Sequence, residues 1–93
     1  MQDIFDRIRE EYRAHFPDAD LSFFDRVRPL VEKSYEGQKR LSGEPYLVHV
    51  LNVALTVARM GLGQETLMAA WFHDAPADGA WRQELGDLWT PTV

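Results

Sequence analysis

The chain has no cysteine. A disulfide scaffold, a thiolate zinc site and a cysteine nucleophile are therefore excluded. No apolar run approaches the roughly 18 residues that a membrane span needs. The opening stretch, Met1 to Glu10, is charged throughout, which is unlike a secretory signal. The expected compartment is the cytoplasm. Positive charge is also scarce: ten Lys and Arg stand against fifteen Asp and Glu, for a net charge of -5. That argues against a diffuse basic surface for non-specific nucleic-acid binding, while leaving room for a local basic pocket that takes one phosphorylated ligand. No segment alternates with a strand period between turns, and no repeat or low-complexity tract is found. The expected class is all-α.

The 93 residues allow one domain, with 45% hydrophobic and 27% charged side chains. A chain of this length buries only about two-thirds of its unfolded surface. Ile4, Phe5, Ile8, Tyr12 and Phe16 recur at helical spacing, and Pro17 follows, so a first helix is predicted over 2–15. Asp18 or Asp20 caps a second, from Leu21 to about Gly37, with Phe23, Phe24, Val27, Leu30, Val31 and Tyr35 on its apolar face. Pro29 lies inside that segment, and either kinks one helix or starts another. Gln38 to Gly43 reads as a loop. Pro45 opens a third helix that stops at Gly61. A fourth runs from Gln64 to about Asp74, and Trp81 to Trp89 forms a short fifth. Trp81, Leu85, Leu88 and Trp89 share one face of it, a candidate surface for homo-oligomers.

Chemistry concentrates on the third and fourth helices. Residues Leu47 to Met60 are apolar around nearly the whole circumference, as in a buried helix. The exceptions, His49, Asn52, Thr56 and Arg59, fall on a single narrow stripe. The fourth helix is apolar from Leu67 to Phe72 and leads straight into His73-Asp74. A turn of only about three residues makes the two helices antiparallel neighbours, which brings His49 and His73 to the same end. Imidazole nitrogen and carboxylate oxygen together suit manganese, iron or zinc. A histidine satisfied at the edge of the core, with Asp74 capping a helix or bonding to His49, accounts for the same residues.

Gly37-Gln38, Arg40, Ser42-Gly43-Glu44-Pro45-Tyr46, His49, Val53-Ala54, Gly61-Leu62, Thr66, Ala69-Ala70 and His73-Asp74 resemble, in order and distance, the hydrolase domain of the RelA/SpoT family, over roughly 20–88. The resemblance implies the all-helical HD fold, here about five helices forming a single partial domain over 1–93 that is incomplete at its C-terminus. It implies a 3′-pyrophosphohydrolase of the guanosine alarmones ppGpp and pppGpp, part of the stringent response and dependent on Mn2+. His49, His73 and Asp74 match metal ligands. Arg40 and Ser42, with Lys39 beside them, match the nucleotide pocket, and Asp78 matches a catalytic aspartate.

Some positions depart from the family. The fourth ligand of the family, a distant aspartate, has no counterpart before Val93. Ala77 stands where a glutamate precedes the aspartate matched by Asp78, Val50 replaces a proline, and Leu41 replaces a basic residue beside the pocket. The expectation is therefore a truncated hydrolase domain, inactive as this chain alone. The alternative is a degenerate, non-catalytic module for nucleotide sensing, regulation or oligomerisation.

Overall fold

The structure is a computed structural model that describes residues 3–75, 79 and 81–86. Among these described residues five helices form, in chain order α1 (Ile4–His15), α2 (Ser22–Ser34), α3 (Tyr46–Arg59), α4 (Gln64–Phe72) and α5 (Trp81–Leu85). Among the described residues there is no strand. Helix α1 packs on α3, α3 on α4, and α2 on α5.

The caps explain where the helices begin and stop. Asp3 Oδ1 accepts the Asp6 amide at 2.8 Å and starts α1. Neither Asp18 nor Asp20 is the N-cap of α2: that position is Leu21, which makes no side-chain capping bond, and Asp20 Oδ1 accepts the Ser22 amide at 2.9 Å from just before it. That helix is continuous through Pro29 and ends at Ser34, so the proline lies inside one helix and does not separate two. Proline lacks an amide for the Asp25 carbonyl and clashes with it. Position 29 is exposed, where water can serve that carbonyl. At the other end of the hairpin, Gly61 takes φ 74°. The Leu62 amide returns to the Val57 carbonyl and the Gly61 amide to the Ala58 carbonyl, a left-handed stop that closes α3. His15 Nε2 adds a contact of 3.0 Å to the Arg59 carbonyl, tying α1 to the same end.

The core is aromatic. Trp71 is fully buried. It stacks on Phe5 at 5.4 Å and meets Phe24 edge-on at 5.5 Å. Such ring pairs add about 0.5–1.5 kcal/mol each beyond the area they bury. Trp81 stacks on Phe72 at 4.8 Å, and both Trp81 and Leu85 are buried. The apolar face foreseen for self-association is thus turned inward at these two positions, because α5 folds back on α2. Leu88 and Trp89 lie outside the described residues.

Helix α3 is less enclosed than its composition suggests. Val50, Ala54, Leu55 and Ala58 are buried. Leu47, Leu51, Val53 and Val57 are half-buried, and Asn52, Thr56 and Arg59 are exposed. The polar stripe faces solvent. Two neighbours, α1 and α4, leave one side of α3 uncovered among the described residues.

Candidate functional site

The loop before α3 is a tight hairpin. The Arg40 amide donates to the Glu44 carbonyl and the Gly43 amide to the Arg40 carbonyl, both at 2.8 Å, while Lys39 pairs with Pro45 as an isolated antiparallel bridge. A three-residue turn of this kind places its last residue in the left-handed region. Gly43 sits there, at φ 87°. The hairpin holds Lys39, Arg40, Leu41 and Ser42 over an open cavity of about 650 Å³, whose other walls are Tyr46 and His49. That is the size of a small-molecule site. Arg40 pairs with Glu44 at 3.9 Å across exposed surface, a contact worth at most about 1 kcal/mol. Its guanidinium is therefore easily drawn to a ligand.

The His73-Asp74 pair is built by the end of α4. The last four carbonyls of a helix have no partner within it. Here each has one. The His73 amide takes Ala69 at 2.9 Å and the Ala75 amide takes Phe72 at 3.0 Å. The buried Tyr35 hydroxyl donates to Trp71 at 2.7 Å. His73 Nδ1 lies 3.3 Å from Ala70, close enough for its N–H to donate there. Burial, and after it the nearby Asp74 charge, push the Tyr35 phenol well above the ordinary tyrosine range.

His73 Nε2 lies 3.0 Å from Asp74 Oδ2. In one tautomer its Nε2–H donates to that oxygen; in the other Nδ1–H donates to Ala70 and Nε2 is left as a lone-pair donor, the form a metal ligand takes. About 3 Å is also the separation of adjacent ligands on a six-coordinate ion with bonds of roughly 2.1 Å. Metal-bound histidines commonly donate their other N–H to a backbone carbonyl, and the Ala70 carbonyl is within reach of His73 Nδ1 for that purpose. The imidazole nitrogen of His73 and the carboxylate of Asp74 are two donors of the kind a divalent metal takes. His49 is not gathered with them: among the described residues no group of three or more His, Cys, Asp or Glu is placed to hold an ion.

Between the pair and the cavity stands Tyr46. Its hydroxyl donates to Asp74 Oδ2 at 2.7 Å. Its ring stacks on Tyr35 at 5.7 Å and meets His49 edge-on at 5.6 Å. The hydrogen bond to Asp74 holds the phenol pKa above its usual value, helped by partial burial and the Asp74 charge and opposed by Arg40.

Several expectations are corrected by this geometry. His73 and Asp74 are exposed and lie on the turn after α4, and His49 is half-buried, so the site is a surface cleft and not a pair of charges on buried helices. The reason is helix length: the nine residues of α4 end at Phe72 and bring the following turn to the open end of the hairpin. Tyr46, given no role of its own in the sequence reading, lines the cavity and bonds to Asp74. The signal for it was its place one helical turn before His49. Tyr35 had no such signal. Ala77 and Asp78 lie outside the described residues.

Comparison with known proteins agrees with the motif order. The family model for the HD domain matches residues 28–93. The chain is 38% identical over 69 residues to guanosine-3′,5′-bis(diphosphate) 3′-pyrophosphohydrolase of Aquifex aeolicus, covering 74% of this chain and 10% of that protein. It is 39% identical over 67 residues to the bifunctional (p)ppGpp synthase/hydrolase RelA of Mycobacterium tuberculosis, covering 72% and 9%. Against the bifunctional (p)ppGpp synthase/hydrolase SpoT of Escherichia coli it is 35% identical over 91 residues, covering 97% and 13%. The chain thus spans about a tenth of the length of these relatives. No solved structure matches significantly. The match of the family model over most of the chain shows that it belongs to the HD-domain family.

Proposed function

We propose that the chain is the nucleotide-binding part of a RelA/SpoT-type (p)ppGpp 3′-pyrophosphohydrolase domain, working in the cytoplasm. The observation that carries this reading is the cleft itself: a basic hairpin, Lys39 to Ser42, roofs a cavity that reaches His49 and, through Tyr46, the His73-Asp74 pair. In it, Lys39 and Arg40 attract the diphosphate groups, and the planar Arg40 guanidinium lies on the guanine face. Ser42 offers a hydroxyl to the nucleotide. His73 and Asp74 hold the divalent metal, Mn2+ in this reading, with His49 as a third donor once a ligand draws the three together. When bound, the ion supplies Lewis acidity towards phosphate. Asp78 is assigned to proton handling, and Ala77 beside it has no group to share that task.

Because the three donors are not gathered, the chain alone hydrolyses ppGpp poorly or not at all. Manganese-dependent turnover by the 93-residue chain, abolished by His73→Ala, would overturn that statement. The same observation favours a second reading, a non-catalytic nucleotide-sensing module. Calorimetry with ppGpp, with and without manganese, separates the two. Binding that needs manganese supports the hydrolase reading, equal binding without it supports the sensor, and no binding removes both.

A further inference from the structure

We propose that Tyr46 is a positioning residue for Asp74, and that its hydroxyl sets how tightly the His73-Asp74 pair holds a divalent cation. The inference rests on the reading that this pair binds metal. A carboxylate oxygen accepts along two lone-pair directions. Tyr46 takes one direction on Oδ2, at 2.7 Å. His73 Nε2 stands 3.0 Å from the same oxygen. The phenol holds one direction and His73 faces the other, so an ion that bridges His73 and Asp74 takes the place of the proton between them while the Tyr46 bond remains.

The phenol is itself fixed. Its ring is the first residue of α3, held face to face by Tyr35 at an interplanar angle of 17° and edge-on by His49 at 76°. Tyr35 in turn is anchored on the Trp71 carbonyl, two residues before His73. A chain of contacts therefore runs from the end of α4 through Tyr35 to Tyr46 and back to Asp74. The bond crosses from α3 to the turn after α4, so it also fixes the distance between the two elements that supply the donors. Removing such an outer partner of a metal ligand typically weakens metal affinity by about 10- to 100-fold.

The test is calorimetric titration of the 93-residue chain with MnCl2, comparing Tyr46→Phe, Tyr35→Phe and His73→Ala, with each variant's fold checked by circular dichroism. The wild-type chain binds manganese, His73→Ala does not, and Tyr46→Phe binds about 10- to 100-fold more weakly. Tyr35→Phe keeps the ring that stacks on Tyr46 and removes no bond to Asp74, so it binds manganese more tightly than Tyr46→Phe does. A purely structural role for Tyr46 would weaken both tyrosine variants alike, and that result overturns the proposal. So does Tyr46→Phe binding as tightly as wild type, or more tightly, while His73→Ala abolishes binding. If the wild-type chain does not bind manganese, or His73→Ala binds it as well, the metal reading itself has failed and this inference falls with it.

Discussion

Tyr35→Phe removes one oxygen atom and keeps the ring, so its effect isolates one hydrogen bond. Tyr35 is 2% exposed, and its hydroxyl donates at 2.7 Å to the Trp71 carbonyl in the last turn of α4. A neutral hydrogen bond contributes about 1 kcal/mol net, and leaving its buried acceptor unmet raises the loss toward 1–3 kcal/mol. No cavity larger than a hydroxyl opens, and the stack on Tyr46 remains. An overall loss of about 1.5 kcal/mol is expected. For a domain of this size each kcal/mol moves the midpoint by about 4–8 °C, so Tm falls by roughly 6–12 °C. Thermal melts followed by circular dichroism, at several scan rates to establish reversibility, measure it. A midpoint within about 2 °C of wild type would refute the claim that this hydroxyl closes the end of α4.

Three further outcomes follow from the same geometry. The raised Tyr35 phenol stabilises the fold fully below the ordinary tyrosine value of 10.0, and that stability is lost as pH rises toward the folded value. Melting curves across alkaline pH should show wild-type stability falling above about pH 10, and Tyr35→Phe losing less over the same range. Gly61→Ala forces a side chain into φ 74°, with its Cβ only 2.9 Å from His15 Nδ1, and should destabilise by about 1–2 kcal/mol in urea titration. Arg40→Ala should weaken ppGpp binding about tenfold while leaving Tm unchanged, because its pairing with Glu44 is exposed.

Much of the fold was legible because period and punctuation agree. Phe5, Ile8 and Tyr12 on α1, Pro45 before α3 and Gly61 after it are local signals, and the helices follow them. Burial was harder to read. The apolar residues of α3 outnumber what its two neighbours cover, so composition suggested an enclosed helix where half-exposed Val53 and Val57 stand. The fate of Trp81 and Leu85 depended on α5 folding back on α2, a long-range contact that no local pattern specifies. In the site, His73-Asp74 and the basic hairpin were visible as motifs. Tyr35 was not, because its contact with Trp71 joins residues 36 positions apart and needs the packed helices to exist.

The cleft between the Lys39–Ser42 hairpin and the His73-Asp74 turn is the proposed binding place of a guanosine alarmone. Backbone amide NMR during titration with ppGpp tests it most directly. Shifts concentrated at Lys39, Arg40, Ser42, Tyr46 and His49, extending to His73 and Asp74, are the predicted result. Shifts centred instead on the groove of about 260 Å³ lined by Phe5, Arg28 and Leu47, or no saturable shifts at all, would contradict it.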